Sequence, residues 1–404
     1  MSHREAQPAT TQFSHHVQRT GAEAVEVWRH LRDVGTVSWS TEHGGYHVVS
    51  GYAEICEAAR QPEIFSSVDG PIPALPFRLL PVHSDPPVHR EYRRVLNPWF
   101  TPQHVAELEP LVRGIADELL RDLEQRPEFE FCSGFAIPFP QRVALAIIGV
   151  PAEERDTIST WVEEMVRLRL TSPEKVASAG RTLAQRIQQL IAELRSTSHR
   201  DAGMISALVD ADIGGRFMTD EELVSIITLL LFGGLDTTTS ALAGAMHHLV
   251  LNPLAWKMLQ SHPELLGPAA EEFVRFTSPV QGNARTAVQN TNLGGCPIKA
   301  GDRVFLVWGS GNRDEEVFDD ADSVVFERPF NRHLGFGHGP HRCVGAHLGK
   351  LMLEVALEEI LRRLDGVRVL DESAVKWVGG ETHGIRVLPL VRPRPDQSHV
   401  ESLP

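Results

Sequence analysis

Late in the chain stands Phe336-Gly337-His338-Gly339-Pro340-His341-Arg342-Cys343-Val344-Gly345. Cys343 lies at the entry to a stretch in which Leu348, Leu351, Met352 and Val355 recur at i, i+3, i+4 and i+7, the spacing of a helix face. Backbone N–H groups and the dipole at a helix start favour a thiolate over a thiol. Gly337 and Gly339 allow the turns that aim such N–H groups at one sulfur. Gly345 leaves room for a flat group against the helix, and Phe336 offers an aromatic face beside the sulfur. The chemistry is that of a metal-ligating thiolate. Two other readings of the segment stand beside it. Free cysteine is among the most buried residue types, so Cys343 could be structural. His338, His341 and His347 also suggest zinc, although their spacing around Cys343 matches no usual zinc module.

A second segment breaks helix rules. Gly233-Gly234-Leu235-Asp236-Thr237-Thr238-Thr239 sits inside a long apolar run. Two glycines and three β-branched residues are unfavourable in a helix interior. A threonine hydroxyl can bond a carbonyl one turn back and bend the helix. Sites that break local rules are where function concentrates, though a tight helix crossing would also call for glycine.

A third pair, Glu272 and Arg275, is three residues apart and shares a helix face. Alone it would be an ordinary surface bridge.

Taken together the three segments resemble the cytochrome P450 family. FGHGPHRCVG matches its cysteine signature F-G-x-G-x-H-x-C-x-G; Gly233 to Thr237 matches (A/G)-G-x-(D/E)-T, with glycine where alanine is more usual; Glu272 to Arg275 matches E-x-x-R. The likeness covers nearly the whole chain, with the motifs in family order. It implies that Cys343 ligates the iron of haem b as a thiolate, which favours O–O cleavage. It implies that the helix opens at Gly233 over the iron, that Thr237 hydrogen-bonds the reacting dioxygen and its water, and that Asp236 feeds protons inward from solvent. Arg328 is implied as the third member of a buried charge triad with Glu272 and Arg275. The haem carboxylates need cationic partners, and the resemblance assigns them to His89 and Arg93, within Asp85-Pro86-Pro87-x-His89-x-x-x-Arg93, and to Arg285 and His333. Phe336 and Gly345 complete the cofactor set. The substrate wall implied by analogy comprises Ile72, Leu75, Leu80, Leu229, Phe232, Gly233, Val280, Asn283 and Thr382, with Gln281 and Asn283 able to orient a polar group.

The elements that must position these residues read as mainly helical. Residues 1–20 and 394–404 are expected as loose tails around one domain, 21–393. A helix over 22–34 stops at Gly35, and 36–50 alternates around Gly44-Gly45 as a hairpin. Residues 66–87 hold six prolines and read as a long loop of the kind that forms lids. Helices follow from about 88 to 276. The best defined begins with a Thr219/Glu222 capping box and runs to Leu251, stopped by Asn252-Pro253. Short strands are expected over 285–308, irregular chain over 309–342, and closing strands over 366–392. The fold class is therefore a helix-rich single domain with small peripheral sheets.

Bulk properties bound the partners. Thirty-nine basic and 53 acidic residues give a net charge of −14, which argues against nucleic acid and anionic membranes. The four cysteines are widely spaced, which fits a reducing, cytoplasmic setting rather than a disulfide framework. The polar start has no secretory pattern. A monomer is expected, with O2, a hydrophobic small molecule, and a separate ferredoxin and ferredoxin reductase supplying electrons. Arg93, Arg94, Arg342 and Lys350 form the expected basic docking patch. Peroxide-dependent oxidation, oxidative coupling, and a non-catalytic haem or ligand carrier are the alternatives; the Asp236-Thr237 pair speaks against a carrier.

Overall fold

The computed structural model describes residues 9–75, 77–168, 171–196 and 203–392. Helices dominate, and the large apolar core lies among them. The helix expected from Thr219 begins there: Thr219 Oγ1 accepts from the Glu222 N–H at 3.2 Å and Glu222 Oε2 accepts from the Thr219 N–H at 2.8 Å. It runs as Asp220–Leu235 and Thr237–Leu251, interrupted at Asp236, where φ is −104° and ψ is −39°. The interruption has a local cause. Thr237 Oγ1 donates to Gly233 O at 3.0 Å and Thr239 Oγ1 to Leu235 O at 2.9 Å, so side chains from beyond Asp236 take up helix carbonyls just before it. The combined helix is long and apolar enough to cross a membrane, yet 67% of its most apolar window is buried inside the protein, as a core helix requires.

The N-terminal half of the sheet structure departs from expectation at one place. Six strands pair in the order Thr10–Thr11, Val37–Ser40, Tyr46–Val49, Arg303–Leu306, Asn283–Ala287, Phe65–Ser66. The 37–49 hairpin pairs Ser38 with Val48, and Val48 pairs in turn with Phe305. Thr10–Thr11 lies parallel to Val37–Ser40, so residues 9–20 are not a loose tail. Phe13 is buried at 3% exposure, and the Gln281 amide donates to His15 O at 3.0 Å. The anchors are a short strand pairing and single side chains from elsewhere in the chain, which leaves no local period to read. The expected C-terminal tail, 394–404, lies outside the described residues. A second sheet joins Arg368–Val369, Pro389–Val391 and Glu128–Glu130, the last a strand inside the stretch expected to be all helix.

After the sheet the chain is irregular to the cysteine, as expected, and Arg275 holds it. Its guanidinium donates to Glu272 (2.7 and 2.8 Å) and to the carbonyls of Asn312, Ala321 and Ser323 (2.9, 2.6 and 2.6 Å). Arg328 Nε lies 3.3 Å from Glu272 Oε2, and Asn331 Nδ2 donates to the same oxygen at 3.1 Å. Glu272 and Arg275 are both 0% exposed. Burial pushes the Glu272 carboxyl up, but Arg275, the Val325 N–H and Arg328 together hold it below its ordinary value. The triad thus pins residues 312–331, the run-in to the cysteine loop.

Candidate active site

Cys343 opens into a cavity of about 340 Å3 between the Ala346–Arg363 helix on one side and the interrupted helix on the other. The cysteine loop is set by its glycines. Gly337 and Gly339 have φ of 70° and 71°, which favour glycine. A Cβ at Gly339 would lie 2.2 Å from Ala59 O, so the loop also presses against the end of the Tyr52–Arg60 helix. The Cys343 N–H donates to Phe336 O at 2.8 Å. At Gly345, the nearest atoms to an added Cβ are the Phe100 ring carbons at 3.9 Å, on the cavity wall. Burial pushes the Cys343 thiol up, and the Gly345 N–H, Arg93 and Arg342 only partly offset this. A bound cation would be needed to hold the thiolate.

Beside the cysteine the cavity gathers His89, Arg93, Arg285 and His341. All four groups are driven toward neutrality by burial: His89 down to about 4, with Arg93 adding to the effect, Arg285 down to about 10, His341 to about 2, and Arg93 below its ordinary value. Among the described residues the acid facing them is Asp85, and it accepts from Ser66 Oγ (2.5 Å) and the Ser67 N–H (2.9 Å). His89 Nδ1 is buried with no hydrogen-bond partner. A cluster of this kind is short of negative charge. The two carboxylates of a haem would supply it, and the glycine-lined wall at Gly335, Gly337, Gly345 and Gly349 suits a flat ring. The residues present therefore fit the group.

Of the expected cofactor set, Phe336, Cys343, Gly345, His89, Arg93 and Arg285 line the cavity and His333 does not. His333 Nε2 meets Glu271 at 2.7 Å and its Nδ1 accepts from the Gly335 N–H at 3.1 Å, so it braces the loop from behind. His341 takes the place assigned to it. Its ring lies 4.2 Å from that of His89, and its Nε2 is 3.2 Å from Ser67 Oγ. The signal was present: His341 is the fixed histidine of the cysteine motif.

The opposite wall is less well anticipated. Leu229, Gly233, Val280 and Asn283 line the cavity. Ile72 does not: it is 4% exposed, in a cluster with Phe13, Trp28 and Phe305. Leu75 is likewise away from the cavity, and Leu80 and Phe232 pack against the main core. Thr382 hydrogen-bonds Asp236, and Gln281 spends its amide on the His15 and Gly380 carbonyls. In their place stand Ala144, Ile147, Ile148, Met204 and Trp308, from helices and a turn with no motif to mark them. Gly233 and Gly234 divide the two roles of glycine. A Cβ at Gly233 would meet nothing within 4 Å, whereas one at Gly234 would meet Ala144 Cβ at 3.0 Å, a tight helix crossing.

Thr237 faces the cavity and Asp236 does not. The Thr237 O–H is committed to Gly233 O, so its lone pairs are what it offers the cavity. Asp236, 6% exposed, is paired with Arg386 and accepts from Thr382.

Comparison with known proteins agrees with this architecture. A family model described as cytochrome P450 matches residues 162–262 and 256–373. A steroid C26-monooxygenase of Mycobacterium tuberculosis is 31% identical, over 90% of this chain and 95% of its own. The mycinamicin IV hydroxylase/epoxidase of Micromonospora griseorubida is 33% identical over 73% of this chain and 75% of its own. The structure of a mutant of P450 EryK in complex with erythromycin B superposes with a TM-score of 0.83 at 29% identity, covering 93% of this chain and 97% of that one. The chain thus belongs to the cytochrome P450 family, a family of haem-dependent enzymes, and is a monooxygenase.

Proposed function

We propose that this monooxygenase inserts one atom of O2 into a C–H or C=C bond of a medium-sized hydrophobic small molecule, using electrons from a separate ferredoxin and ferredoxin reductase. Cys343 would hold the iron of haem b, and a thiolate-ligated haem would supply the chemistry that cleaves the O–O bond. His89, Arg93, Arg285 and His341 would hold the haem carboxylates. The observation that carries the assignment is the buried His89 Nδ1 without a partner, in a cationic cluster opening on the same cavity as Cys343. Thr237, through its lone pairs, holds a water in the cavity. Asp236, adjacent in the interruption and tied to Arg386, passes protons toward that water. The substrate lies against Leu229, Gly233, Val280 and Asn283; the apolar character of most of this wall supports a hydrophobic ligand. Four free cysteines support a reducing, cytoplasmic setting.

Reducing the purified protein under carbon monoxide tests the ligand: a strongly red-shifted Soret band is expected, and its loss in Cys343→Ser. A colourless protein, or an unshifted band, would overturn the reading. For electron entry, Arg342 is exposed beside the cysteine, Arg94 is exposed but bound to Glu91 and Asp212, and Lys350 lies 3.3 Å from Glu271. Arg93 is engaged with the Arg342 carbonyl and Asn97 and belongs to the cavity, not the patch. Arg342→Glu is expected to slow reduction by an acidic ferredoxin and to weaken its salt dependence.

A further inference from the structure

Asn283 and Trp308 form a pair on the cavity wall. The Trp308 indole N–H donates to Asn283 Oδ1 at 2.8 Å, and both residues face the cavity. An indole N–H is a donor only. The oxygen of the Asn283 amide must therefore face Trp308, and the NH2 group must face away from it. Among the described residues no hydrogen bond engages Asn283 Nδ2, and this atom is not among the buried polar atoms left without a partner, so it is reachable from the cavity. Trp308 is itself fixed: it is 2% exposed and packs in a core cluster with Leu306, Ile55 and Leu334. Asn283 is fixed too, as the first residue of a strand that pairs it with Leu306. Val280, Leu229 and Gly233 on the same cavity offer no side-chain donor.

We infer that Asn283 is a specificity-determining residue, which presents a donor of fixed orientation to an acceptor oxygen on the substrate, and that Trp308 is the positioning residue that sets this orientation. The inference rests on the monooxygenase reading and deepens it: the preferred substrates are hydrophobic molecules carrying a carbonyl or similar acceptor oxygen, held by it while an apolar part faces the cysteine side. A substrate lacking that oxygen leaves the amide hydrogens unpaired in a dry pocket, which is how a hydrogen-bonding site discriminates.

The test is a binding experiment on the haem-loaded enzyme, read from the shift of its absorption band, with cyclododecanone and cyclododecane as a matched pair. The ratio of their dissociation constants is compared between wild type and variants, so the differing cost of desolvating the two ligands cancels. Asn283→Leu is expected to move the ratio against the ketone by about five- to tenfold, the net worth of one neutral hydrogen bond. Trp308→Phe, which keeps a ring but frees the amide to turn over, is expected to move it by about threefold. Cyclododecane affinity should rise in Asn283→Leu, which leaves no amide hydrogens unpaired, and change less than twofold in Trp308→Phe. A ratio unchanged in Asn283→Leu overturns the proposal. So does a ratio unchanged in that variant alongside reduced haem content, which would assign the amide to a haem carboxylate. A ratio unchanged in Trp308→Phe alone overturns the role given to Trp308. Failure of the underlying reading looks different: no red-shifted carbon monoxide band in any of the proteins.

Discussion

On the cysteine side of the cavity, polar groups close on one another. Arg275 gives its donors to one carboxylate and three carbonyls, Arg328 and Asn331 add to the same carboxylate, and His333 joins Glu271 to Gly335. On the opposite side the wall is assembled from residues 81–82, 144–148, 204, 229–238 and 279–283, and its contacts are mostly apolar. The first side is built by charge and hydrogen bonding, which demand given residue types at given spacings. The second is built by packing, which accepts many side chains of the right volume. Rigidity should therefore reside on the first side and adaptability on the second.

The largest expected effect tests that division. Glu272→Gln removes the one carboxylate shared by two buried guanidiniums, and breaking such a pair costs roughly 3–5 kcal/mol. Urea unfolding should show a loss of this size, with haem released early. Leu229→Ala on the opposite wall should cost only about 1–2 kcal/mol while changing which ligands bind. Equal losses in the two variants would abolish the distinction.

Next is Thr237, where the packed side carries chemistry. Thr237→Ala is expected to lower product formation by about 100-fold, within the range for positioned proton-transfer groups, with the carbon monoxide band and ligand affinity unchanged. Thr237→Ser, which keeps the hydroxyl, should retain most activity. If alanine and serine behave alike, the hydroxyl has no part in proton delivery.

Glu271 gives a smaller, pH-dependent effect. Burial raises its carboxyl, but His333 and Lys350 outweigh this and hold it down to about 2, against an ordinary 4.5. A carboxyl depressed in the folded state contributes stability above its unfolded value, and that contribution is lost as pH falls through the folded one. Glu271→Gln should thus destabilise by on the order of 2 kcal/mol above pH 4.5, allowing for partial exposure, and by almost nothing near pH 2. A pH-independent difference in unfolding free energy would show that shape, not charge, is what Glu271 supplies.

The same division explains what was legible in the sequence. The fold class, the capping box at Thr219 and the cysteine loop were readable because each depends on local backbone chemistry. His341 was missed in favour of His333 although both precede Cys343 closely, since counting residues does not show which histidine turns inward from an irregular loop. Ile72 and Thr382 were misplaced for a different reason. Ile72 is claimed by Phe13 and Trp28, and Thr382 by Asp236, partners set by tertiary packing alone. The N-terminal segment failed likewise: its anchors, at Trp39 and Gln281, are not neighbours in the chain.

The smallest effect comes from two adjacent glycines, Gly233 and Gly234. Both sit in the Asp220–Leu235 helix, where alanine is intrinsically favoured over glycine by up to about 1 kcal/mol. At Gly233 a Cβ meets nothing within 4 Å, so Gly233→Ala should recover part of that gain and stabilise the fold. The added methyl projects into open space on the cavity wall, so the bulkiest ligands should bind several-fold more weakly. At Gly234 a Cβ would lie 3.0 Å from Ala144 Cβ, and the helices would have to part by a few tenths of an ångström. Gly234→Ala should therefore lose the propensity gain to strain, ending near neutral or about 1 kcal/mol destabilised, with ligand affinity little changed. Thermal unfolding and ligand titration of the two variants separate the effects: stability up and affinity down at 233, stability level or down with affinity little changed at 234. If Gly233→Ala weakened no ligand of any size, the space above Gly233 would not belong to the substrate, and the interruption at Asp236 would serve helix packing alone.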